Sequence, residues 1–310
     1  MAASGCRRSA SEGDPVPQPH VQYVETAPGV RLWTERRGEP DAPALLLVMG
    51  AQASGLGWPE ELCDALAARH HVIRYDHRDT GRSTWSYEKE PYRLTDLADD
   101  VVAVLDGLGI DRAHLVGMSL GGMLAQLVLC DHPGRVLSAT LFGTTALSTA
   151  PFVRPDGTRT PVEELPGIDP RVLAEWARPV EDHGLEAELD RRVRHWRLLN
   201  GEAVPFDRAY FRELERRVVA HTGRYDSSGA HARADQSGMD RTRALAATRV
   251  PVLVVAAPAD PLAPPPHPQH LAQVTGGGAT LAEVPGMGHA LPRQVLAPLA
   301  GAILAHTTGS

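Results

Sequence analysis

The chain has 310 residues, 43% of them hydrophobic, enough to bury one sizeable α/β core with an insertion. Its formal net charge of −7 and pI near 6.0 leave no basic stripe, which argues against nucleic acid as a partner. Cys6, Cys63 and Cys130 lie far apart without metal spacing, so a disulfide framework is not expected and a reducing, cytoplasmic setting fits.

The first twenty residues, MAASGCRRSASEGDPVPQPH, lack the apolar centre of a secretory signal. Rich in Ser, Pro and Gly, residues 1–20 are expected to be disordered. No run of 18 apolar residues occurs, so no membrane span is expected. From residue 21, VQYVET and VRLWTE read as strands joined at Pro28-Gly29. ALLLVMG is a continuous apolar run, the pattern of a central buried strand, and HVIRYDH is the next strand. Between them, residues 60–69 have helical spacing. LTDLADDVVAVLDGLGI is an amphipathic helix with a stripe of Leu94, Leu97, Val101, Val104, Leu105 and Leu108, and Gly109 stops it. Strand AHLVGM, a helix over 120–130 and strand VLSATLFG follow, with Cys130 expected to pack on a buried helix face.

Residues 146–247 show no strong strand; they hold charged helical stretches such as LDRRVRHWRLLNG and RAYFRELERRVVAHTG. Alternation resumes with VPVLVVAA, a helix near 268–274, ATLAEVP and a last helix over 292–306. The expected fold class is therefore α/β, a mostly parallel central sheet with helices on both faces. Residues 21–145 and 248–310 form its core, and 146–247 form a helical lid inserted into it.

Ser119 stands in GMSLG, a Gly-x-Ser-x-Gly motif that follows a strand and opens a helix. A strand running straight into a helix strains the serine backbone and exposes its hydroxyl, while the helix N-terminus aims N–H groups at the same spot. A serine needs a base to react at neutral pH. Of 14 histidines, His289 in PGMGHAL lies between the last strand and the last helix, in a loop able to return over the sheet. Asp260, just past the strand VPVLVVAA, can orient that imidazole. The oxyanion needs two backbone N–H donors, placed at Leu120 and, in the loop after LLLVMG, at Ala51 with Gly50 next.

DHRDTGRS, residues 76–83, reads as scaffold holding its loop by turn chemistry and a buried Arg–Asp contact. His70, His71, His77, His114 and His132 lie at element ends, in surface or structural roles. His267 and His270 are three apart but lack an acidic or sulfur partner, and no metal is assigned to them. The run of glycines at 276–278 is a turn, not a phosphate loop.

In order, VMGAQ, DHRDTGRS, GMSLGG, APADPLAP and PGMGHALP resemble the α/β-hydrolase superfamily from residue 21 to about 306. More narrowly, LGWPEEL, AVLDGLGIDRAHLVGMS, HWRLLNG and VPGMGHALP resemble the aclacinomycin methylesterases of anthracycline biosynthesis. The resemblance implies hydrolysis of the carbomethoxy ester of a glycosylated polyketide to methanol and a free acid, which can then lose carbon dioxide. It implies Ser119, Asp260 and His289 as the triad, with Ala51 and Leu120 or Met118 around the oxyanion and ester. No cofactor is called for, and the partner is the small-molecule ester, with the oligomeric state left open. Trp196 in HWRLLNG either fills the lid core or faces a flat substrate. Met49-Gly50-Ala51 departs from the His-Gly of many members, though only a backbone donor is required there. Serine at 119 argues against dehalogenase and epoxide-hydrolase chemistry, which needs a carboxylate nucleophile. A decarboxylase, a carbon–carbon hydrolase or a cofactor-free haloperoxidase-like enzyme are the alternatives that keep the serine.

Overall fold

The computed structural model describes residues 19–179, 184–226 and 228–309. Of the segment expected to be disordered, residues 1–18 lie outside the described residues, and His20 already opens the first strand. That strand, β1 (His20–Ala27), pairs antiparallel with β2 (Val30–Arg37), and Gly29 makes the turn between them at a φ of 76°.

Four parallel strands form the centre: β3 (Ala44–Val48), β4 (His71–Tyr75), β5 (Ala113–Met118) and β6 (Val136–Phe142). Two later strands, β9 (Val252–Ala256) and β10 (Thr280–Glu283), extend the sheet beyond β6. The eight strands run in the order β1-β2-β4-β3-β5-β6-β9-β10, so the chain winds outward from β3 in both directions. All are parallel except at the β1–β2–β4 edge.

The continuous apolar runs are explained by burial on both faces. Successive side chains of a strand point to opposite sides. In β3, Leu46 and Val48 pack with α2 (Leu94–Gly107) and α3 (Leu120–Asp131) through Leu97, Val101, Leu124 and Val128. Leu45 and Leu47 face the other side, against Leu62 and Leu66 of α1 (Glu60–Ala67) and Leu299 and Ile303 of α10 (Arg293–Thr308). Each such leucine contributes roughly 1.5–3 kcal/mol by leaving water. The stripe expected on α2 is buried except at Leu108, which caps the helix half-exposed before Gly109 turns the chain at a φ of 70°. Cys130, expected on a buried face, is half-buried, because it lies in the last turn of α3 where the helix leaves the core.

Between β6 and β9 the chain makes a short hairpin of two-residue strands, β7 (Phe152–Val153) with β8 (Arg159–Thr160). Among the described residues five α-helices follow: α4 (Pro170–Trp176), α5 (Leu185–Leu199), α6 (Arg208–Thr222), α7 (Ala230–Arg233) and α8 (Thr242–Ala247). Asp207 caps α6 by accepting from the Tyr210 N–H at 3.0 Å, and Gly223 ends it in the left-handed region. Val172, Leu199, Phe211 and Leu214 form a small core under these helices that also takes in Ala290. The inserted helices thus rest on the loop that carries His289. Then α9 (His267–Val274) connects β9 to β10.

Candidate active site

Ser119 sits between β5 and α3 with φ 56° and ψ −124°, a conformation that L-residues avoid. Its neighbours permit the tight turn because they lack side chains. A Cβ on Gly117 would stand 2.5 Å from the Gly121 carbonyl oxygen, and one on Gly121 only 2.0 Å from that of Val48. The Ser119 N–H donates to the Phe142 carbonyl at 3.1 Å, which pins the turn to the end of β6. The first helical bonds of α3 run from Gly122 and Met123 to the Ser119 carbonyl, so the Leu120 N–H lies outside the helical ladder.

His289 and Asp260 meet beside this turn. The His289 Nδ1–H donates to Asp260 Oδ2 at 2.9 Å, with Oδ1 at 3.1 Å. In the neutral ring this bond leaves Nε2 as the nitrogen with the free lone pair. Both side chains are buried. Burial by itself would raise the Asp260 carboxyl. The charge and hydrogen bond of His289, with N–H bonds from Leu262 and Ala263, hold it below the usual carboxylate range. Asp260 therefore caps the turn at Pro261 and orients the imidazole at once. Gly143, at a φ of 57°, covers the pair so closely that a Cβ there would lie 3.1 Å from His289 Cε1 and 3.3 Å from Asp260 Oδ2. Ser119, bonded to Phe142, and His289, against Gly143, thus flank one peptide link at the end of β6.

The loop after β3 borders the same turn. A Cβ on Gly50 would come within 3.2 Å of Ser119 Cβ and 3.7 Å of its Oγ. Ala51 follows in an exposed turn, and Gln52 adopts a φ of 58°. Met49, before this turn, lines a narrow apolar cavity of about 10 Å³ with Gly57, Met118, Trp196, Phe211, Leu214 and Leu291. Trp196 stacks on Phe211 with ring centroids 5.3 Å apart and donates from Nε1 to Glu215 at 2.5 Å. It therefore packs α5 against α6 and forms part of the cavity wall.

DHRDTGRS is a framework. Asp76 accepts from Ser54 Oγ, the Gly55 N–H, the Arg82 N–H and His221, and Arg78 pairs with Asp100 at 2.6 and 2.8 Å. His70, His71, His77 and His114 are buried in structural roles, and His132 is half-buried at the end of α3. His267 and His270 donate to the carbonyls of Pro166 and Ala150 at 2.7 Å each. Among the described residues, no three His, Cys, Asp or Glu side chains converge as a metal ion requires, and no helix is long and apolar enough to cross a membrane.

Sequence reasoning missed the supports of the site. The His289 N–H donates to the Leu199 carbonyl at 2.7 Å, so the end of α5 holds the imidazole's backbone. Nothing in the periodicity of HWRLLNG signals this. Gly143 reads in the sequence only as the last residue of the run VLSATLFG.

The family model of the alpha/beta hydrolase fold matches residues 43–292. The chain is an α/β hydrolase. It is 42% identical over 289 residues to the rhodomycin D methylesterase DauP of Streptomyces sp. (strain C5), spanning 90% of this chain and 95% of that one. The rhodomycin D methylesterase DnrP of Streptomyces peucetius is 42% identical over 288 residues, with the same coverage. A solved hydrolase from Pseudomonas aeruginosa PA01 superposes with a TM-score of 0.66 at 25% identity, covering 94% of this chain and 98% of that one. In this chain's sheet Ser119, Asp260 and His289 follow the carboxyl ends of β5, β9 and β10, the edge where open α/β sheets bind ligands.

Proposed function

We propose that this α/β hydrolase is a carboxylic ester hydrolase that removes the methyl group from the carbomethoxy ester of an anthracycline-type aromatic polyketide. One observation carries the reading. The buried His289–Asp260 pair lies beside a strained serine turn, in a chain similar nearly end to end to methylesterases of rhodomycin D.

Ser119 attacks the ester carbonyl, and His289 Nε2 takes the hydroxyl proton. The negative charge forming on the carbonyl oxygen is held by the backbone N–H groups of Ala51 and Leu120, with Gly50 and Met118 shaping the approach. Asp260 fixes the tautomer and stabilises the imidazolium. His289 then protonates methanol as it leaves. Water, deprotonated by the same histidine, attacks the acyl-enzyme and releases the free acid and Ser119.

The inserted helices at 146–247 act as the lid. The apolar cavity, at about 10 Å³, has room for no more than a water-sized group and is far below the ~300–1,000 Å³ typical of pockets that enclose drug-sized ligands. A tetracyclic substrate therefore requires α5 and α6 to part from Met49 and Met118, and Trp196 supplies a flat face when they do.

The test is incubation with a panel of anthracycline methyl esters, followed by mass. The expected product has exchanged methyl for hydrogen. Loss of carbon dioxide as well makes decarboxylation part of the reaction, and no mass change on any ester overturns the reading. Ser119→Ala should abolish turnover, and a fully active Ser119→Ala protein ends the acyl-enzyme mechanism.

A further inference from the structure

Two buried histidines that the mechanism does not use grip the loop carrying Ala51. The His77 Nε2–H donates to the Met49 carbonyl at 2.9 Å. On the other side, the Gln52 N–H donates to His231 Nδ1 at 2.9 Å, although His231 lies 179 residues away in α7. His231 Nε2–H in turn donates to the Arg78 carbonyl at 2.9 Å. A carbonyl only accepts, so these bonds define His231 as the neutral Nε2–H tautomer with Nδ1 as acceptor. The two imidazoles meet edge to face with centroids 5.6 Å apart.

The loop needs such a grip. Gln52 holds a φ of 58°, a left-handed conformation that a non-glycine residue keeps only when its surroundings impose it. The bond from its N–H to His231 supplies that constraint directly, and it fixes the peptide plane next to Ala51. We propose that His231 is a positioning residue for the oxyanion loop: through the Gln52 N–H it sets the direction of the Ala51 N–H. The inserted segment 146–247 thereby takes part in the chemistry as well as covering it. This rests on the assignment of Ala51 as an oxyanion donor.

The surroundings keep the acceptor available. His231 is 3% exposed, and burial pushes its pKa down against the Arg78 carbonyl and the Asp79 charge, in the same direction as the neutral ring that the Gln52 N–H bond requires. Tyr87 Oη bonds the Arg233 carbonyl at 2.6 Å, and the Leu94 N–H bonds that of Asp235 at 2.9 Å, which docks α7 and the residues after it onto the core. His231 is thus held by groups that do not touch the substrate cavity.

The experiment compares His231→Phe, which fills the space without an acceptor, with His231→Gln, which can present an acceptor and a donor at similar spacing. Substrates are the methyl ester and a p-nitrophenyl ester, and the probe is a trifluoromethyl ketone that forms a tetrahedral adduct on serine. In His231→Phe, kcat should fall about 10- to 100-fold with KM nearly unchanged, because the lost interaction forms only in the transition state. Inhibition by the ketone should weaken by the same factor, and His231→Gln should recover most of both. A folded His231→Phe protein with wild-type kcat and ketone affinity overturns the proposal. Long-range proton–nitrogen NMR on the histidine-labelled wild-type chain is decisive even if the phenylalanine variant does not fold. An Nδ1–H tautomer at His231, or a Gln52 amide signal unmoved by adduct formation, overturns it too. If the ketone fails to inhibit the wild-type enzyme at all, it is the serine mechanism that falls, a result distinct from these.

Discussion

Asp76, at the end of β4, and His221, in the last turn of α6, meet at 2.7 Å across 145 residues of chain. The same carboxylate accepts from Ser54 and from the N–H groups of Gly55 and Arg82, while Arg82 Nε donates to the His221 carbonyl at 2.7 Å. Trp33 meets the imidazole edge-on at 4.5 Å. This knot ties α6 to the loops that follow β3 and β4. Asp76→Ala should cost about 3–5 kcal/mol, because it strands several buried donors. Burial would raise the Asp76 carboxyl, but His221 and the other donors hold it below the usual range. Its contribution is therefore present at neutral pH and fades only as pH falls below about 4. Urea unfolding of wild type and variant at pH 7 measures the first effect. A loss under 1 kcal/mol would show the knot to be incidental.

Buried histidines make the protein acid-sensitive before its carboxylates titrate. Burial, with His231 nearby, pushes His77 down to about 3, and burial, with His70, His306 and Arg112, pushes His114 down to about 4. Unfolded histidine takes up a proton near pH 6.5, so between that pH and the folded values the unfolded chain binds more protons and stability drops. For these two groups the loss between pH 7 and 5.5 should be about 2–3 kcal/mol. Urea midpoints at pH 7.0, 6.2 and 5.5 give the slope, and His114→Gln should flatten it. A flat wild-type profile would contradict the burial of these rings.

Asp260→Asn keeps the oxygen that accepts from Leu262 and Ala263 but no longer stabilises the His289 imidazolium. Its kcat should fall about 10⁴-fold with the fold retained. Steady-state kinetics alongside circular dichroism checks both halves; a loss below tenfold would remove Asp260 from the triad.

Trp196 separates substrate grip from chemistry. Trp196→Ala removes the flat wall stacked on Phe211 and leaves Glu215 without its indole donor. KM for the polycyclic ester should rise roughly tenfold, about 1.4 kcal/mol of lost contact, while turnover of p-nitrophenyl acetate changes little. Equal losses on both esters would make Trp196 a packing residue only.

The sequence by itself determined the strands' burial and the strained serine turn. Continuous apolar runs such as ALLLV mean burial on two faces, and Gly-x-Ser-x-Gly between a strand and a helix means a strained serine. Both are local facts, set by side-chain period and backbone sterics within a few residues. The closeness of His289 to Asp260 was legible too, because each follows a strand of one parallel sheet and must emerge at the same edge. Only the tertiary structure decided what holds that edge in shape: Leu199 on the His289 backbone, His221 on Asp76, and His231 on Gln52. Those partners lie 90 to 179 residues apart and several use backbone atoms, which every residue possesses. A hydrogen bond between such groups leaves no pattern in the order of the side chains; it exists only once the packing of the lid on the sheet has brought the two ends together.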